Sequence, residues 1–294
     1  MTAGVDKMIR IFHVDCETNP IVQSVYVKDM PILCGSFHST GSEILVSGRR
    51  PYIYVYDLVK EELYRTQRCR DSNDKSFEKF VCSKDGAYIA VVGVDGNVLL
   101  FNGRTKTFVT QLKNPVHVTS IQFTEDGTYI VIFGNDGCLY VWDLRTRKCI
   151  QRVRDEGTIH GTVLDVSHDT NYVAAGSDSG VTNIYEWDTL LQYKDTKVLT
   201  NCKPKATLLS LRTSISKIIF SPTNEFVVTA SRMKRDAISI SHIPTFTTFT
   251  NWPGNTHALR YVQDIDISPH GGLLSIANEK GHVLLYRLQH YSRV

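Results

Sequence analysis

The residues that could do chemistry in this chain are not spaced to do it. Gly176-Ser177-Asp178-Ser179-Gly180 has the outline of a nucleophile elbow, but Asp178 stands where the serine must be, and the flanks read as two strands rather than strand then helix. Ten histidines are dispersed without His-Glu-x-x-His spacing or a close carboxylate grouping, so neither a metal centre nor a charge relay is indicated. Seven cysteines (Cys16, Cys34, Cys69, Cys82, Cys138, Cys149 and Cys202) include no Cys-x-x-Cys pair and read as small buried hydrophobes of a reducing compartment. No glycine-rich loop precedes a helix, which argues against a nucleotide-phosphate cradle. We expect no catalytic residue, cofactor, metal or small-molecule substrate.

What remains is cationic surface, whose chemistry is contact with phosphate or carboxylate. Arg49, Arg50, Lys113, His117, Arg232, Lys234, Arg235, His257 and Arg260 fall where loops or blade connections are expected, and are the candidate partner or RNA face. Arg145, Arg147, Lys148, Arg152 and Arg154 form a second group, placed on the opposite side or outer edge. Solvated loops are polar in any case. A net charge of +3 and pI near 8.4 are too mild for a protein that binds nucleic acid over its whole surface. The Arg49-Arg50 pair invites comparison with phosphoinositide-binding propellers, but Gly48 precedes and Pro51 follows it, in place of the aromatic or leucine and the glycine of that motif. With no long apolar run either, no membrane contact is expected.

These residues must be positioned by a repeat. The segments 77–103, 118–144 and 262–288 share one plan: an apolar strand, a tight turn, a second apolar strand, a turn such as Asp95-Gly96 or Asp136-Gly137, and a third strand ending in an aromatic and often Asp. Anchored at Gly41, Gly86, Gly127, Asn171, Asn224 and Gly271, the copies recur every 41 to 53 residues. This is close to the roughly 40–45 residues of a WD-repeat blade. Trp142-Asp143 and Trp187-Asp188 sit at the end of a third strand, where the aspartate is read as a turn cap rather than a catalyst. Both Asp-Gly pairs are expected to supply the positive φ angles of a two-residue hairpin. The chain therefore reads as all-β, a seven-bladed WD-repeat β-propeller occupying 1–294 as a single domain. The stretched interval, 189–214, is expected to hold an outer strand preceded by an insertion. No Asn-x-Ser/Thr acceptor occurs, in keeping with an intracellular location.

TAGVDKMIRIFHVD at the start and YVAAGSDSGVTNIY from 172 carry a specific likeness, sharpened by Asp155-Glu156-Gly157 between copies and Tyr286-Arg287-Leu288 with His290-Tyr291 at the end, which blade geometry does not demand. In these the chain resembles the WD-repeat domain of the U3 small nucleolar RNA-associated protein 18 family. That resemblance implies a non-catalytic scaffold of the small-subunit processome, in the nucleolus of the nucleus, acting in pre-rRNA processing. The implied partners are other WD-repeat processome proteins, U3 small nucleolar RNA and pre-rRNA. The resemblance implies an N-terminal extension in the family that this span is not expected to hold, and recruitment of RNA-degrading machinery through it is not expected here. Fold alone leaves open a WD-repeat adaptor or substrate receptor in another complex, for ubiquitin transfer or signalling.

The first copy, 4–15, matches only the hairpin turn and third strand, and the last stops after its third strand, so we expect the first blade to lack its innermost strand and the last to be unclosed. The span 1–294 on its own is then expected to melt over a broad range. A compact monomer with a sharp, cooperative transition in gel filtration and circular dichroism would contradict that.

Overall fold

The computed structural model describes residues 1–15, 17–67, 74–191, 200–254 and 258–289. Each copy of the repeat folds as one small antiparallel sheet, and the seven sheets are the blades of a seven-bladed β-propeller; among the described residues the helix is one short turn, Trp187–Leu191. The chain divides into two compact units, 1–117 with blades one to three and 118–294 with blades four to seven.

Within each unit the apolar surface lies between neighbouring blades. Ile9, Val27, Met30, Val46 and Tyr56 form the core between blades one and two; Leu45, Val55, Phe80, Val91 and Phe101 form that between two and three. In the second unit Phe133, Val141, Leu164, Val173 and Tyr185 fill the space between four and five, with equivalent clusters between five and six and between six and seven. A central strand covered on both faces cannot alternate, so Tyr129–Gly134 and Phe226–Ala230 are apolar, or small and buried, almost throughout.

The first turn of blades three to seven carries a signal finer than its glycine. The amides of Gly86, Gly127, Thr170, Asn224 and Gly271 donate to the carbonyls of Ser83, Thr124, Ser167, Ser221 and Ser268 at 2.8 to 3.0 Å. The hydroxyls of Ser83, Thr124, Ser167 and Ser268 accept the first amide of the next strand, from Tyr88, Tyr129, Tyr172 and Leu273, at 2.9 to 3.1 Å. Thr124 and Ser167 also donate to Asp126 and Asp169 at 2.6 Å. In blades three and four this is a Ser/Thr-x-Asp-Gly turn, and in blades five and seven Ser167 and Ser268 play the same part without the full motif; in each a side chain substitutes for a missing ladder partner. The positive-φ position in blade five is Thr170 (φ 59°), one residue before the expected Asn171.

Other turns hold or refine the expectations. Asp95 and Gly96 both adopt positive φ, 53° and 78°, as a two-residue hairpin requires. At 135–137 only Gly137 does, with its amide 3.1 Å from Gly134 O; the loop is a three-residue turn closed by a left-handed glycine. Asp143 accepts the amides of Arg145 and Thr146 at 2.8 and 3.2 Å, the turn-capping role expected, and Asp57 does the same for Val59 and Lys60. The Lys60 and Val59 amides hold the Asp57 carboxyl below its ordinary range. Gly180 closes a strand-to-strand hairpin, so 176–180 is no nucleophile elbow.

Blade one has the strands Thr2–Ala3, Met8–Phe12 and Ile21–Tyr26, and blade seven has Val262–Ile267, Leu273–Asn278 and Val283–Arg287, three described strands in each. In the stretched connection, the backbone carbonyl of Leu190 accepts from Gln151 Nε2 at 2.9 Å, Thr200–Asn201 adds a parallel fifth strand to blade four, and Ala206–Leu208 returns as the outer strand of blade five. Residues 192–199 of that connection, with Cys16, Cys69, His257, His290 and Tyr291, lie outside the described residues.

Replacing a buried turn hydroxyl strands an amide. Ser83→Ala and Ser167→Ala are each expected to lower unfolding stability by about 1–2 kcal/mol, read by urea titration, whereas Ser→Thr, which keeps the acceptor, should cost less.

Candidate interaction face

All seven candidate cations lie in turns between second and third strands, in blade connections, or at a strand end beside them. In the first unit they are dispersed. Arg49 Nε is 3.2 Å from Glu78 Oε1 in an exposed pair, Arg50 donates to the Asp29 carbonyl at 3.2 and 3.3 Å, and Lys113 Nζ donates to the Asp95 carbonyl at 3.0 Å. Exposed pairs of this kind contribute little to stability, about 0–1 kcal/mol, but they compete with an incoming phosphate.

In the second unit the cations converge. Residues 232–236 form an exposed loop in blade six, and Arg260, from the connection between blades six and seven, is tied to it: Asp236 N donates to Arg260 O, and Arg260 N to Asp236 Oδ1, both at 2.9 Å. The Arg235 guanidinium lies 5.5 Å from the Tyr261 ring centroid, which fixes its direction. Arg232, Lys234, Arg235 and Arg260 therefore share one surface. In the other basic group, Arg152 is 3.3 Å from Asp136 Oδ2 and packs over Tyr140 at 5.4 Å, so it is structural.

The connections that carry the loops are locked by buried carboxylates. Asp155, 1% exposed, accepts from Asn183 Nδ2 at 2.9 Å and from the hydroxyls of Thr158 and Tyr185 at 2.5 Å each; Tyr185 in turn accepts the Glu156 amide at 3.1 Å. This explains Asp155-Glu156-Gly157, which blade geometry does not require. It is a clamp from the connection onto blade five. Burial raises the Asp155 pKa, offset in part by the Thr158 and Tyr185 hydroxyls and Asn183. Asp165, on an inner strand, joins three blades: it accepts Gln122 Nε2 from blade four at 2.6 Å and the Phe220 amide from blade six at 2.8 Å. The sequence marks Asp155 only as a residue blade geometry does not require, and the only trace of Asp165 is a carboxylate inside an apolar inner strand.

A cavity of about 630 Å³ opens beside the first turns of blades four to seven, lined by Glu125, His168, Pro222, Asn224, Asp266 and Pro269 among others. His168 Nδ1 lies 3.7 Å from Glu125 Oε2. Among the described residues no three His, Cys, Asp or Glu side chains are grouped to hold a metal ion, and no helix is long and apolar enough to cross a membrane.

Comparison with known proteins joins this architecture to a family. The chain is 36% identical over 294 residues to the U3 small nucleolar RNA-associated protein 18 homolog of Mus musculus, covering 99% of this chain and 52% of the relative. It is 36% identical over 291 residues to the Arabidopsis thaliana homolog, with 99% and 52% covered. With the Saccharomyces cerevisiae U3 small nucleolar RNA-associated protein 18 it shares 28% over 337 residues, with 99% and 56% covered. The chain belongs to the U3 small nucleolar RNA-associated protein 18 family. It spans about half the length of the relatives it matches. Residues 82–287 also match the family model described as the cytochrome D1 heme domain, and the chain belongs to that family of sequences as well. A heme does not fit the residues present. An axial ligand must face the iron freely and the propionates need cations, whereas the cavity offers the Glu125 and Asp266 carboxylates and an imidazole already turned to Glu125.

The Asp155 clamp generates a pH signature. Its native pKa is raised, so the unfolded chain releases this proton at lower pH than the folded one, and stability falls as pH rises from the ordinary carboxylate value of 3.8 to the higher native value. In Asp155→Asn that segment of the stability-against-pH curve should flatten. Asp155→Ala, which orphans the Tyr185 hydroxyl and the Asn183 amide, should cost about 2–4 kcal/mol at neutral pH by urea unfolding.

Proposed function

We propose that this chain is the propeller part of a non-catalytic scaffold of the small-subunit processome, working in the nucleolus in pre-rRNA processing and small ribosomal subunit biogenesis. The observation that carries this is the 36% identity to the mouse and Arabidopsis relatives over 99% of the chain, both named as U3 small nucleolar RNA-associated. A U3-associated ribosome-biogenesis factor built on blades acts by presenting surfaces. Turns held by buried hydroxyls and connections held by Asp155 give loops that are fixed before a partner arrives, which lowers the entropy cost of docking. Arg232, Lys234, Arg235 and Arg260 in the second unit, and separately Arg49, Arg50 and Lys113 in the first, are contact points offered to other WD-repeat processome proteins, and to U3 RNA or pre-rRNA within the particle. The side chains that invited a catalytic reading support this. Asp143 caps a turn and 176–180 is a hairpin.

Affinity purification of the full-length protein is expected to recover U3 RNA and pre-ribosomal proteins; recovery of neither would overturn the reading. For direct RNA contact, each phosphate bound by one of these cations should add a log–log salt slope of about −0.7 on single strands, and each Arg→Gln variant should remove about that much. A flat salt response would assign them to protein partners.

A further inference from the structure

Blades five and six, with the connections around them, bring apolar side chains to the same surface as the converging cations. Ile159, Leu209 and Met233 are 73%, 69% and 67% exposed. They are far apart in sequence, but a continuous line of contacts joins their backbones. The His160 carbonyl, next to Ile159, accepts the Asp178 amide at 3.2 Å. The turn that follows closes at Gly180, where any side chain would meet the backbone of 211–213, so the connection after Leu209 lies directly against it. Thr213 Oγ1 donates to Ser231 Oγ at 2.8 Å, and the Arg232 amide to Ser216 Oγ at 3.1 Å, which brings the line to Met233.

Isolated exposed hydrophobes are ordinary, but three on one rigid surface, interleaved with fixed cations, are the pattern of a binding site. We propose that Ile159, Leu209 and Met233, with Arg232, Lys234 and Arg235, form a docking surface for an acidic peptide segment bearing aliphatic side chains, supplied by a partner protein. Charge complementarity selects the acidic partner. The aliphatic character selects peptide over RNA, because single-stranded bases are held chiefly by stacking on aromatic rings, and the exposed large apolar side chains here are Ile, Leu and Met. Arg235, already stacked on Tyr261, presents its edge to a carboxylate at little entropic cost. The proposal rests on the scaffold reading only in that a protein partner exists.

The test uses the full-length protein and fluorescence anisotropy with three labelled probes. These are a dodecapeptide alternating Asp/Glu with Leu/Ile, the same peptide with serine in place of the aliphatics, and oligouridine. The first should bind, and about tenfold more tightly than the serine version. K234E/R235E should weaken it about tenfold, and L209S/M233S about fivefold, with thermal melts unchanged because all four side chains are exposed. No binding, equal affinity for the serine peptide, or indifference to L209S/M233S overturns the proposal. So does oligouridine binding that responds only to K234E/R235E, which would make the surface an RNA site. U3 RNA co-purification is measured in parallel on the same variants. Loss of peptide binding with U3 recovery intact marks a docking surface separate from whatever holds U3, whereas failure of U3 recovery in the unmodified protein strikes the scaffold reading alone.

Discussion

Strand register in four of the blades hangs on a turn hydroxyl, which at Ser83, Thr124 and Ser167 is on a buried residue. In the first turn of four blades a Ser or Thr side chain, at Ser83, Thr124, Ser167 and Ser268, accepts the amide that begins the second strand. The residue three positions on, in the left-handed region at Gly86, Gly127, Thr170 and Gly271, reverses the chain. A slip of one residue here would turn every side chain of the second strand to its opposite face. Because that strand is buried on both faces, as Val173 and Ala174 show in blade five, both neighbouring inter-blade cores would be disturbed at once. The turn is small in energy and large in consequence.

Upon that register rest a few buried charges, placed where one blade must be attached to the next. Asp155 clamps a connection, Asp165 spans three inner strands, and Lys106, 6% exposed, reaches from blade three to Glu43 of blade two at 2.6 Å. Buried ionic groups contribute little net stability compared with well-packed apolar substitutes, and removing one partner is costly. Their value is directional. Apolar cores between blades slide at modest cost, whereas a carboxylate with three donors has a single satisfactory position. The connection that carries Ile159 is thereby held still.

The fold was largely legible from sequence because its signals are local: hairpin residues such as Asp95-Gly96, buried apolar second strands, and caps such as Asp57 and Asp143. The errors were also local. The left-handed residue of blade five is Thr170, one before the anchor Asn171, and Asp136-Gly137 belongs to a three-residue turn, because the dipeptide does not reveal the loop length around it. The candidate face was only half legible. Sequence marked the cations as loop residues, but not that Arg49, Arg50 and Lys113 are already engaged by Glu78 and by the Asp29 and Asp95 carbonyls while Arg232, Lys234, Arg235 and Arg260 stand together.

By itself, then, the sequence determined the all-β class, the blade repeat, the turn chemistry and the likeness to its family, since each is written in spacings shorter than one blade or in residues the blade does not need. Only the tertiary structure decided which distant residues meet. Ile159, Leu209 and Met233 are three ordinary aliphatics in three loops until the contacts through Asp178, Gly180, Thr213 and Ser231 bring those loops side by side. Asp155 is one acid among thirty acidic residues until Tyr185 and Asn183 close over it. Adjacency across blades depends on packing between sheets, and no periodicity along the chain encodes it.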